Sequence, residues 1–246
     1  MISKNLRIKF SNQLRTLNLI YMIHEIEKTI GEPYKIERMQ SSVNFLGIDK
    51  DTKEQVSFTI IPNLFSFYSR TSKLLQDIHI CAQLRHENIA RLINIKTTNH
   101  FDNQKSLIVV LETLDTDLHQ IIFSPQELTE DHRRFFIYQI LRGLKYLHSA
   151  NITHKNLNPT NIFINSSCEI KIQIINTEII NDKIVYRWHK APETFLSNEE
   201  KNPFIDIWSV GCIFCEILLR KPLFTGNTTL NQLEKMVKLF LRPLEN

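Results

Sequence analysis

Three features bear on what chemistry this chain can do. Cys212 and Cys215 form a C-x-x-C, the spacing that offers two thiolates to one metal ion, but no second pair completes a site. Both lie in the apolar run of residues 207–219, where helical spacing makes them small core residues. With Cys81 and Cys168 the cysteines number 4, too few and too scattered for a secreted disulfide framework, so a reducing compartment fits. Residues 154–161, HKNLNPTN, gather His154, Asn156, Asn158 and Asn161. Read on composition alone they are a turn after a helix, because Asn and Pro favour loops. Glycine is the third feature: there are 5, where about 17 would be usual in this length. Any activity needing a glycine-built phosphate cradle starts with little material.

The elements that would position these residues change character near residue 115. Before it, residues 55–61 (QVSFTII) and 106–111 (SLIVVL) are short and β-branched, which predicts strands. Between them residues 71–84 predict a helix with Leu74, Leu75, Ile78 and Cys81 on one face. After residue 128 helices dominate: Thr129 is an N-cap with Glu130 and Asp131 in the first turn, and Phe136, Ile140, Leu144 and Leu147 form an apolar stripe. A strand-rich first half joined to a helical second half predicts an α+β architecture in two lobes.

Globular proportions hold throughout, with 42% hydrophobic and 23% charged residues in 246, and the net charge of +4 is too even for a polyanion-binding tail. Nucleic acid is therefore not an expected partner. No run of 18 apolar residues occurs, since the stretch 205–219 is interrupted by Asp206 and Glu216, so no membrane span is expected. Residues 1–24 carry Lys4, Arg7, Lys9 and Arg15, with Leu14, Leu17 and Tyr21 at helical spacing. They read either as a presequence-like segment or as a basic amphipathic helix packed on the domain.

Several segments together resemble, in order, the eukaryotic protein kinases and most of all the MAP-kinase family, with wording near its stress-activated branch. They are EIEKTIGEPYKI (25–36), LRHENIARLINI (84–95), LTEDHRRFFIYQILRGLKYLHSANITH (128–154), YRWHKAPE (186–193) and DIWSVGCIFCEIL (206–218). The resemblance spans roughly residues 25 to 240 and implies a bilobal kinase fold. It divides the chain into a basic extension (1–24), a strand-rich N-lobe (25–114) and a helical C-lobe (115–246) that ends before the family's last helices.

At the positions where the family keeps its chemistry, this chain departs. Residues 37–48 (ERMQSSVNFLGI) lack the G-x-G-x-x-G lid, and Gly47 reads as a turn residue. Thr59 stands where the third strand has its phosphate-pairing lysine, and Asp77 where the regulatory helix has its glutamate. In HKNLNPTN, Asn156 takes the place of the proton-accepting aspartate and Asn158 that of the loop lysine. An amide takes no proton near neutral pH. Asn161 keeps the identity of a metal ligand, but Ile174 occupies the position of the main metal-binding aspartate, and Glu178 lies four residues beyond it. His154 and Asp206 retain the architectural identities of the loop histidine and of the aspartate that holds the loop backbone.

The resemblance also implies a shortened activation segment, without a T-x-Y motif between Asn176 and Ala191. Glu193 lacks the arginine that pairs with it in the family's later helices, leaving Arg220, Lys221 or Arg242 as replacements, or water. The expectation is a catalytically inactive, intracellular pseudokinase, with ATP and Mg²⁺ binding absent or weak and other signalling proteins as partners. The alternatives are an atypical Ser/Thr kinase with residual ATP binding, or the product of a decaying gene.

Overall fold

Five strands form one antiparallel sheet: β1 (Tyr34–Met39), β2 (Asn44–Asp49), β3 (Gln55–Ile61), β4 (Leu92–Phe101) and β5 (Gln104–Glu112), in the order β1-β2-β3-β5-β4. The computed structural model of the chain describes residues 23–24, 26–39, 44–61, 68–101, 104–175, 185–196 and 202–240. Val56, Phe58 and Ile60 of β3 share a core with Ile36, Phe45, Ile108 and Val110, closed by Ile26 and Ile30 from the helical residues before β1. Burying each such side chain stabilises the sheet by about 1.5–3 kcal/mol. The β2–β3 turn is held by Asp49, whose Oδ1 accepts the Asp51 and Thr52 N–H groups.

Gly47 is not the turn residue predicted from sequence. It lies within β2, paired with Ile36 and Val56, and a Cβ there would stand 2.0 Å from the Lys35 carbonyl oxygen. The missing side chain lets β1 approach; the conformation makes no special demand on it.

By contacts the chain divides into two compact units, 1–71 with 92–112, and 72–91 with 113–246. The second is mainly helical. It holds residues 72–83 of α1 (Tyr68–Gln83), with α2 (Leu118–Phe123), α3 (Glu130–Ser149), α4 (Glu193–Leu196), α5 (Phe204–Leu219) and α6 (Thr229–Phe240), and a small sheet of β6 (Thr116–Asp117), β7 (Ile162–Ile164) and β8 (Ile170–Ile172). Helix α3 starts as expected: Thr129 Oγ1 accepts the His132 N–H, and His132 Nδ1 accepts the Thr129 N–H, a capping box worth about 1 kcal/mol. Its stripe of Phe136, Ile140, Leu144 and Leu147 packs with Leu118, Ile122, Leu157, Ile172 and Ile213 in one core.

Helix α1 begins three residues before the predicted start, and one of its predicted core residues points elsewhere. Leu74, Ile78 and Cys81 are buried, whereas Leu75 is 50% exposed. Positions 74, 78 and 81 follow the i, i+4, i+7 rule, and Leu75 is rotated a further 100° off that stripe. Within α5, Cys212 is buried and Cys215 half-buried; burial pushes the Cys212 thiol up to about 12, which fits a packing role. No described helix is long and apolar enough to cross a membrane.

Candidate active site

The loop after α3 is built by a sequence of local reversals. Asn151 adopts φ 57°, and the Ile152 N–H turns back to the Leu147 carbonyl, ending the helix. The next residues then reach Asp206 in the first turn of α5, a carboxylate with no solvent exposure. Its Oδ2 accepts the His154 N–H at 2.9 Å and its Oδ1 the Lys155 N–H at 2.9 Å, while His148 Nε2 lies 2.8 Å from Oδ2. Lys155 is thereby held at φ 68°, an unfavourable conformation for a side chain with a Cβ. Asp206 thus receives two consecutive backbone N–H groups of the loop.

Downstream, amides hold the loop together. The Asn156 carbonyl accepts Asn161 Nδ2 at 2.7 Å and Asn158 Nδ2 at 3.1 Å. Asn158 caps the 3-10 turn Pro159–Asn161 through the Thr160 N–H, and its own N–H donates to Asn161 Oδ1 at 3.1 Å. His154 Nε2 donates to the Gln173 carbonyl at 3.0 Å, which leaves Nδ1 to accept the Asn156 N–H. Burial holds the His154 imidazole below its ordinary range, and the Asp206 carboxylate pulls the other way. Gln173 also donates its N–H to the Asn161 carbonyl, so one residue after β8 anchors both ends of the loop.

The helical unit thus brings together His154, Asn156, Asn158, Asn161 and Asp206, with Ile174 beside them in sequence after Gln173. Ile174 is buried and packs into the helical core. Thr59 lies in the sheet unit, 2% exposed in β3 and paired with Asn44 and Val109. Asp77 is half-buried on α1. Glu193 opens α4 with partial exposure, so it is not the fully buried carboxylate that would demand an arginine. Arg220 is not its replacement: that guanidinium donates to the carbonyls of Ile121, Ile122, Ser124 and Gln126, closing the end of α2. Residues 40–43 of the lid segment, Asn176, Glu178, most of the activation segment, Arg242 and residues 1–22 lie outside the described residues.

Two buried contacts were not anticipated. His148 sits in the last turn of α3, where a histidine complements the helix dipole; that position was the available signal. Glu216, 1% exposed in the second half of α5, pairs with His189 Nε2 at 2.6 Å. A buried acid needs a partner, and His189 is the residue that folds back to it.

Kinase chemistry requires held phosphates, a neutralising metal and an acceptor for the hydroxyl proton. In the described loop Asn161 is a single neutral metal donor, and its Oδ1 already accepts the Asn158 N–H. Ile174 offers no donor, and no group of three His, Cys, Asp or Glu side chains gathers among the described residues. These residues do not by themselves compose a magnesium site. Asn156 can orient a hydroxyl through its amide without taking its proton.

The chain matches the protein kinase domain family over residues 36–245. It is 40% identical over 200 residues to mitogen-activated protein kinase 2 of Arabidopsis thaliana, covering 78% of this chain and 53% of the relative. Mitogen-activated protein kinase 11 of the same plant is 38% identical over 234 residues, 92% of this chain and 63% of the relative. Extracellular signal-regulated kinase 1 of Dictyostelium discoideum is 36% identical over 241 residues, 93% of this chain and 46% of the relative. The chain therefore spans about half the length of the relatives it matches. Two expectations are corrected by this kinship. Relatives at this identity are named as kinases, which are enzymes, against the expectation of a non-enzyme; and kinase relatives use ATP and Mg²⁺, against the expectation of no cofactor. A strand-rich sheet unit, a helical unit and a loop fastened to a buried helical aspartate, together with a match over most of its length, make this chain a member of the protein kinase domain family, akin to the mitogen-activated protein kinases.

Proposed function

We propose that this chain is an atypical serine/threonine protein kinase of the MAP-kinase type that binds ATP and transfers phosphate slowly, and that it works among other signalling proteins. The supporting observation is the loop of residues 154–161, which is kept in a single hydrogen-bonded form by Asp206, Gln173 and its own asparagines. Such a loop is preorganised, and preorganisation is the part of catalysis that survives loss of a general base. In this reading Asn156 is the residue that orients the substrate hydroxyl. With an amide there the proton has no strong acceptor, so the rate is set about 10²- to 10⁴-fold below that of a carboxylate.

Asn158, Thr59 and Asp77 are the further positions in this reading that lower the rate, through weaker holding of the phosphates. The test is direct. Purified chain is incubated with γ-labelled ATP, Mg²⁺ and a basic protein acceptor, and Asn156→Asp is run beside it. Slow transfer that rises about 100-fold or more in Asn156→Asp supports the assignment. No transfer by either protein, together with no rise in melting temperature at millimolar ATP, overturns it.

A further inference from the structure

The 3-10 turn Val185–His189 leads into the buried Ala191 and α4, and each of its last three residues is held by unmodified groups of the helical unit. Arg187 donates from Nη1 to the Asn227 carbonyl at 2.6 Å. Trp188 donates its indole N–H to the Gly226 carbonyl at 3.2 Å, and its own carbonyl accepts Gln232 Nε2 at 3.3 Å. At His189 the carbonyl accepts Ser209 Oγ at 2.8 Å, and Nε2 donates to Glu216 at 2.6 Å, since a carboxylate only accepts.

Two of these anchors are buried groups that have to be met. Gln232 has no solvent exposure, and its amide serves two residues: Nε2 reaches Trp188, while Oε1 accepts the Gly226 N–H at 2.7 Å. A Cβ at Gly226 would stand 2.5 Å from the Gln232 backbone nitrogen, so the absent side chain is what lets that turn close on α6. Glu216 is buried on α5 with His189 as its partner. Moving the turn away would strand both groups in a dry interior, so the packing that buries them also selects this form of residues 185–189.

We propose that the end of the activation segment, residues 185–193, takes up this form without phosphorylation, held by the His189–Glu216 pair, Ser209 and Gln232, so that the activity proposed above needs no activating phosphate. A kinase segment that is switched by phosphorylation gains its ordering contacts as new arginine–phosphate pairs. Here the ordering contacts are already made, and the arginine of the turn is spent on a backbone carbonyl. The consequence for rate rests on the kinase reading; the form of the turn rests on these contacts alone.

Trypsin reads the turn directly, because it cuts after Arg187 and Lys190. The full chain is treated with phosphatase until its intact mass shows no phosphate, and cleavage is followed by peptide mass spectrometry. Both bonds should resist trypsin, compared with the same bonds in a peptide of residues 185–196. His189→Ala should raise cutting there about 10-fold or more by stranding Glu216, with cutting elsewhere unchanged. His189→Gln, whose amide can still donate to Glu216, should stay near the native rate. If His189→Ala fails to fold, Ser209→Ala removes one hydroxyl from the same turn and carries the same expectation. A phosphate-free chain cut as fast as the peptide overturns the proposal, as does an alanine variant cut no faster than native, or His189→Gln cut as fast as His189→Ala. Phosphotransfer before and after phosphatase separates the two readings. A rate that falls on phosphate removal overturns this inference and leaves the kinase reading standing, and an unchanged rate supports both. Absence of transfer in either sample counts against the kinase reading only, and the trypsin result then decides the form of the turn.

Discussion

Replacing Asp206 with alanine strikes the contact on which the loop depends. In the folded chain its two oxygens receive the backbone N–H groups of His154 and Lys155, both at 2.9 Å, and His148 Nε2 at 2.8 Å. The aspartate is wholly buried, so alanine leaves the two backbone donors without a nearby acceptor. Each unsatisfied buried donor costs roughly 1–3 kcal/mol, giving about 2–6 kcal/mol for the pair. His148, which retains some exposure, can turn towards water and adds little. Breaking a buried charged contact by removing one partner gives a similar figure, about 3–5 kcal/mol. For a chain of this size that is a fall of roughly 6–20 °C in the melting midpoint. Asp206→Asn separates the cause: it keeps the volume, but turns one acceptor into a donor facing a donor. Thermal melts followed by circular dichroism should show both variants well below the native chain. If Asp206→Asn melts within about 2 °C of native, the cost does not arise from the hydrogen bonds, and the account of how the loop is fastened fails.

Three further outcomes follow from particular residues. Burial depresses the folded-state value of His154 below its ordinary 6.5, so the unfolded chain binds more protons between the two values; stability is full above pH 6.5 and falls as the pH drops towards the folded value, and His154→Gln should flatten that slope in urea titrations run from pH 7.5 down to 5.5. A slope unchanged by the substitution would assign the acid sensitivity to other groups. Gly47→Ala forces a Cβ to within 2.0 Å of the Lys35 carbonyl, and the strands must part, which predicts a loss of about 1–3 kcal/mol in denaturant unfolding; a loss under 0.5 kcal/mol, within the usual range for surface changes, would show that β1 yields freely. The Cys212 thiol, raised to about 12, should resist alkylation at pH 8 in the native chain and react readily in urea, as read by peptide mass spectrometry; native labelling at the rate of an open thiol would place it outside the core.

How much was legible in the sequence depended on the range of the interaction. The α3 helix was readable because Thr129, the two acids after it and the Phe136–Leu147 stripe are local signals that act along one helix. Strand β3 was readable for the same reason, and its bounds, residues 55–61, agree with expectation. The loop 154–161 was ambiguous on composition, since Asn and Pro favour turns in general; only its order among other segments marked it. Leu75 was misplaced because the face of a helix is chosen by what packs on it. Gly47 was misread because glycine signals either a turn or a close approach, and nothing local distinguishes the two.

The family and the chemical identity of each loop residue were contained in the sequence alone, because side-chain types and their order are one-dimensional facts. Folding in three dimensions decided which of those groups meet. It carried Asp206 across more than fifty residues to His154 and Lys155, gave Arg220 to the end of α2 instead of to Glu193, and paired His189 with Glu216. Those outcomes depend on burial, which belongs to no residue by itself: a carboxylate or an apolar stripe acquires its energetic meaning only from the surfaces that close over it.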